Sequence, residues 1–88
     1  MKIKAIETGH YRIPLPTVLS DSTHGNISHF ELIVVKLTSN EDVEGVGYTY
    51  TVGSGGSAVH AVIEKDLAPL LMDADPRRIE ALWKRMWW

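Results

Sequence analysis

Two stretches of this 88-residue chain carry groups able to do chemistry. Ser20, Asp21, Ser22, Thr23 and His24 crowd hydroxyls, a carboxylate and an imidazole into one polar run, and Ser20, Asp21 and His24 are the residue types of a nucleophilic triad. Three residues within one short loop do not reach the mutual geometry a triad needs, and no oxyanion hole accompanies them, so that chemistry is set aside. Gly53-Ser54-Gly55-Gly56-Ser57-Ala58 satisfies the G-x-G-x-x-G/A dinucleotide spacing. That fingerprint also requires a first strand buried on both faces and a parallel strand after the helix. Here the preceding strand alternates, its neighbour is an antiparallel hairpin partner, and the segment after the helix contains Pro69. The glycines are therefore read as a turn that opens a helix. The absence of lysine after them excludes a Walker loop. The amides at the helix start offer a place for an anion such as a substrate carboxylate, and His60 is read as a surface residue that the helix dipole keeps neutral.

The remaining polar groups are less specific. His10, His24, His29 and His60 have neither H-x-x-x-H nor H-x-H spacing, and no carboxylates occupy EF-hand positions, so this chain alone is expected to bind no metal. Glu41, Asp42 and Glu44 read as the solvated corner of a hairpin. Cysteine is absent, which removes disulfides and Cys-type zinc sites. A net charge of −2 gives no support for nucleic acid. Charges interrupt Met1–Glu7 where a signal peptide needs an apolar run, and no stretch approaches the ~18 apolar residues of a membrane span. A cytoplasmic protein with no membrane partner is expected.

The elements that must position these groups follow from pattern. With 44% hydrophobic and 23% charged residues, residues 1–88 form one small domain. Lys2 to Ile13 reads as a strand ended, or kept at an edge, by Pro14 and Pro16. Thr17 to Asn26 reads as a long surface loop. His29 to Leu37 is a nearly unbroken apolar, β-branched strand. Ser39–Asp42 turns the chain, and Val43–Val52 alternates so that Val46, Tyr48, Tyr50 and Val52 form a buried face. Ser57 is expected to cap a helix with Val59, Val62, Ile63 and Leu67 inward, broken at Pro69. Asp75-Pro76 starts a second helix, whose apolar stripe is Ile79, Leu82, Trp83, Met86 and Trp87. The fold class is α+β: a three-stranded antiparallel sheet in a β-β-β meander, followed by helices packed on one face. The middle strand is apolar on both faces and the chain stops inside its last apolar stripe, so a further covering surface is expected.

Met1-Lys2-Ile3-Lys4-Ala5-Ile6, Ile13-Pro14-Leu15-Pro16, Leu32-Ile33-Val34-Val35-Lys36-Leu37 and Glu44-Gly45-Val46-Gly47, followed by two helices, together resemble the amino-terminal capping domain of the enolase superfamily, in the mandelate racemase and muconate lactonizing enzyme group. The resemblance runs through nearly the whole chain. It implies a cap over the mouth of a C-terminal (β/α) barrel, which supplies the ligands of a Mg2+ ion and the bases that remove a proton next to a substrate carboxylate. Those residues lie outside this chain, so no catalytic residue is assigned within it.

In that family two cap loops help select substrate. Matched onto this sequence they fall on Leu19–Asn26 and Tyr50–Gly56, which makes Leu19, Ser20, Asp21, Ser22, His24, Tyr50 and Thr51 the candidate specificity residues. Tyr48 stands where many muconate-type and dipeptide-epimerase members carry Glu, so Gly45-Val46-Gly47-Tyr48 looks more like racemases and acid-sugar dehydratases. The implied function is the specificity cap of a Mg2+-dependent acid-sugar dehydratase acting on a small carboxylate substrate. A racemase or epimerase of a small 2-hydroxy or amino acid is the enzymatic alternative, and a free-standing interaction module the non-enzymatic one. A homo-oligomer is expected.

Overall fold

The apolar, β-branched stretch around Leu32–Leu37 becomes the middle strand of a three-stranded antiparallel sheet. The computed structural model describes residues 1–21 and 25–87, with the backbone alone at 16–21 and 25–27. Strand β1 (Ile3–Asp21) pairs with β2 (Gly25–Ser39), which pairs with β3 (Glu44–Thr51). Helix α1 (Gly56–Ala61), a π-helical turn (Val62–Leu67), α2 (Ala68–Leu71) and α3 (Ile79–Trp87) follow. This is the expected meander with helices on one face. Among the described residues no helix is long and apolar enough to cross a membrane.

The described residues of Thr17–Asn26, 17–21 and 25–26, are strand and not the surface loop that the composition suggests. Leu19 lies opposite Ile27, Ser20 opposite Asn26 and Asp21 opposite Gly25, so β1 and β2 continue as a two-stranded arm. Main-chain pairing needs no large apolar side chains, which is why polar composition conceals it. Pro14 and Pro16 interrupt β1 without ending it. Pairing passes from Pro14–His29 to Leu19–Ile27, five positions of β1 against two of β2, and the irregularity falls on an edge strand, where proline is tolerated.

The buried face expected of Val46, Tyr48, Tyr50 and Val52 does not form, because β3 is exposed on both sides from Glu44 to Tyr50. Register sets Gly45, Gly47, Thr49 and Thr51 beside Leu37, Val35, Ile33 and Glu31. Ile33 is fully buried and Glu31 meets α1, so this is the sheet face that carries the helices. Val46, Tyr48 and Tyr50 stand exposed on the other side, Val46 at 68%. Alternation supplies the period of a strand but not the side its partner takes.

Pro69 does not break the helix either. The preceding turn widens, with Ala68 N–H donating to the Ile63 carbonyl five residues back. That spacing relieves the clash of the proline ring with the carbonyl four residues earlier. Regular α3 begins at Ile79, after a turn in which the Asp75 carboxylate accepts the Arg77 N–H at 3.0 Å and the Arg78 N–H donates to the Asp75 carbonyl at 3.1 Å. Hydrogen bonds from the Arg77 guanidinium hold the Asp75 carboxyl down at about 2. In α3 only Leu82 is buried, while Ile79, Trp83 and Trp87 remain exposed.

The core is thin, with Ile3, Ile33 and Leu82 as its buried hydrophobic residues among those described. The radius of gyration is 15.6 Å, against about 12 Å for a compact chain of this length. The β2–β3 corner contributes a polar anchor: buried Ser39 accepts the Glu41 and Val43 N–H groups on Oγ, each at 3.1 Å. Ser39→Ala strands both donors and is expected to cost about 1–2 kcal/mol, seen as a thermal midpoint lower by about 5–15 °C. An unchanged melt would show that water replaces the hydroxyl without loss.

Candidate functional site

The junction where β3 gives way to α1 is built on one carboxylate. Glu31 interrupts the apolar run of β2, and its alternation places it on the helix-covered face. Its Oε2 accepts the Gly56 N–H and the Thr51 hydroxyl, both at 2.9 Å. Its Oε1 lies 3.1 Å from His10 Nε2 on the neighbouring strand. The Gly56 N–H, then the Thr51 hydroxyl, pull the Glu31 pKa below the usual carboxylate range. An ionised carboxylate only accepts, so His10 carries a proton on Nε2.

This arrangement corrects the expected helix start. Ser57 makes no capping bond; the N-cap residue is Gly55, at φ 86°, and the first N–H is satisfied from across the sheet by Glu31. Gly53, at φ 79°, shares the left-handed conformation that favours glycine, so the glycine run serves the turn. Gly56 answers a different need. A β-carbon there would sit 2.6 Å from His10 Nε2 and 2.8 Å from the Glu31 carboxyl carbon, so any larger residue would push the ends of these two side chains aside. The Gly56 amide is therefore engaged by the protein's own anion. One turn further on, His60 Nε2 lies 2.9 Å from Thr8 Oγ1 and 3.5 Å from Glu64 Oε2, which makes His60 part of the helix–sheet seam and not a free surface group.

The candidate specificity residues divide. Tyr50 and Thr51 belong to one stretch of sequence but face opposite sides of the sheet. The Thr51 hydroxyl is spent on Glu31. Tyr50 is 61% exposed, its ring 5.8 Å from that of Phe30. The backbone of Leu19, Ser20 and Asp21 lies on the arm, whereas Ser22 and His24 are outside the described residues. The arm extends β2 past its last pairing with β3, so arm and glycine turn share one end of the sheet. From Leu32, the partner of Tyr50, to Gly25 is seven residues, or about 23 Å of strand. Glu31 and His10 escaped the sequence reading, although a lone carboxylate in an apolar central strand signals that a partner must exist.

Among the described residues no three His, Asp or Glu side chains gather so as to hold a metal ion. Two concavities formed by described residues are small and apolar. One of about 170 Å³ lies between Leu37, Pro76 and Leu82, and another of about 230 Å³ beside Leu67, Trp83 and Trp87. Neither offers polar groups for a charged substrate.

Comparison with known proteins agrees with this architecture. The chain is 50% identical over 86 residues to 3,6-anhydro-alpha-L-galactonate cycloisomerase of Streptomyces coelicolor, covering 98% of this chain and 24% of that protein. It is 27% identical over 81 residues to L-talarate/galactarate dehydratase of Salmonella typhimurium, covering 86% of this chain and 20% of that protein. The chain thus spans about a quarter or less of the length of these relatives. A crystal structure of a racemase from Streptomyces coelicolor A3(2) with bound magnesium superimposes with a TM-score of 0.95 at 50% identity, over 98% of this chain and 24% of that one. Residues 3–87 match the mandelate racemase / muconate lactonizing enzyme N-terminal domain, and the chain belongs to that family, the capping domains of the enolase superfamily.

Proposed function

We propose that this chain is the substrate-specificity cap of a magnesium-dependent enzyme that removes the proton next to the carboxylate of a sugar acid, working with a (β/α) barrel in the full-length protein. The observation that carries the proposal is family membership over residues 3–87, joined to 50% identity with a relative named for an anhydro sugar acid. The metal is assigned to the barrel, a reading supported by the magnesium-bound relative.

One elimination accounts for two outcomes. A barrel base takes the C2 proton, and the electron pair left behind expels an oxygen from C3, which picks up a proton as it goes. In an open-chain sugar acid that oxygen leaves as water, and the reaction is a dehydration. In a 3,6-anhydro sugar acid it is the ring oxygen, which stays tethered as the C6 hydroxyl, and the reaction is an isomerisation. The enol that remains becomes a 2-keto-3-deoxy acid in both cases. The higher identity to the cycloisomerase favours ring opening over the dehydration expected from the sequence. The test is to give full-length enzyme and magnesium a 3,6-anhydro sugar acid and galactarate, and to follow keto-acid formation with solvent deuterium uptake by NMR. Turnover of neither substrate, with no exchange of the C2 proton, would overturn the proposal.

Tyr50 and His24 are the side chains proposed to read substrate hydroxyls from the cap. Loss of one hydrogen bond to substrate is worth about 5- to 10-fold. Tyr50→Phe and His24→Ala are therefore expected to change the ratio of kcat/KM between ring-closed and open-chain sugar acids by about that factor. Wild-type preference in both variants across the panel would remove these two residues from substrate selection.

A further inference from the structure

We infer that the His10–Glu31 pair is a positioning device for the Gly53–Gly56 turn, and through that turn sets how tightly the enzyme holds its substrate while touching no part of it. The inference rests on the proposal that the Tyr50–Gly56 segment faces the substrate. Three independent contacts converge on the Glu31 carboxylate: the last residue of β3 through the Thr51 hydroxyl, the first residue of α1 through the Gly56 N–H, and the edge strand through His10. The turn leaves β3 at one of these anchors and returns at another. Its intervening residues include Gly53 and Gly55, both in the left-handed region, where the backbone has wide conformational freedom and little intrinsic preference. The carboxylate thus supplies from a rigid central strand the definition that the glycine turn lacks.

The fit at Gly56 gives the device its tolerance. With His10 Nε2 and the Glu31 carboxyl under 3 Å from where a β-carbon would stand, the helix start is seated directly on the pair, and displacing one displaces the other. Glu31 is unsuited to proton transfer, because its hydrogen bonds favour the ionised form. Its effect reaches the reaction through geometry alone.

In the full-length enzyme, Glu31→Ala is expected to speed amide exchange across 53–58 about 10-fold, leaving peptides from α3 unchanged. KM for the sugar acid should rise about 5- to 10-fold, with kcat within about 2-fold of wild type. Glu31→Gln keeps an acceptor for the Gly56 N–H and should recover most of both losses. Gly56→Ala, which removes no carboxylate but pushes the pair aside, should reproduce the rise in KM. Exchange that quickens uniformly through the protein, or quickens at 53–58 with KM unmoved, overturns the inference. Tyr50→Phe separates it from the underlying proposal. If Tyr50→Phe shifts substrate preference while Glu31→Ala leaves KM at wild type, this inference alone falls. If exchange at 53–58 quickens but neither variant alters KM or preference, both fall.

Discussion

Ile33→Ala is expected to remove a large part of the stability of the 88-residue chain, while Val46→Ala, on the neighbouring strand, leaves it almost unchanged. Ile33 is 0% exposed at the centre of β2, where it joins the strand pair to the helices. Truncating a buried isoleucine costs about 2–5 kcal/mol through lost transfer energy and the cavity left behind. Small domains have about 5 kcal/mol or little more to lose, and this one has a core of three buried hydrophobic residues among those described. Val46, 68% exposed, loses almost nothing on truncation, about 0.5 kcal/mol at most. The pair of variants can be compared by urea unfolding monitored by circular dichroism. Equal midpoints would show that the sheet is held together elsewhere than through its helix-covered face.

Self-association of the same chain is the second large effect. Trp83 and Trp87 stack at 5.8 Å between ring centroids and are 61% and 69% exposed, with Ile79 exposed on the same helix. Aromatic residues dominate the energetics of buried interfaces, and a contiguous apolar patch of this kind is normally covered. The sedimentation coefficient and thermal midpoint should both rise with protein concentration. Trp83→Ser combined with Trp87→Ser should make both independent of concentration, since neither side chain contributes to the buried core. A wild-type chain that stays monodisperse and monomeric, with a concentration-independent melt, contradicts this expectation.

Sequence pattern reached the architecture more surely than it reached the site. The three strands, the Ser39–Asp42 corner and the amphipathic final helix were legible because each follows from a local period or a local turn preference. What escaped depends on partners distant in sequence. Which residues of β3 share the sheet face that carries the helices is decided by register against β2, and alternation is blind to it. The helix start looked like Ser57 because caps are usually local, yet the acceptor comes from Glu31, 25 residues earlier. Pro69 was read as a break because proline removes an i→i−4 bond, and the widened turn that accommodates it has no signal in composition. Of the candidate site, the glycine turn itself was visible, whereas the opposed directions of Tyr50 and Thr51 required the pairing of β3 with β2.

The β1–β2 arm carries a consequence for how such caps diversify over evolutionary time. Beyond the Glu31–Thr51 pairing the ribbon has no third strand, and Ile3, Ile33 and Leu82 lie at or behind that pairing. Inserted residues in the arm therefore leave the core untouched. They are not all alike, however. One residue added to each strand turns every more distal side chain to the opposite face, whereas two added to each preserve every facing and carry the tip outward by about 7 Å. Lineages that inherit this arm can retune what its tip presents by a single paired insertion, or extend its reach by a double one. Drift in arm length among descendants should then be quantised, with even steps conserving which side of the arm each side chain faces and odd steps reversing it.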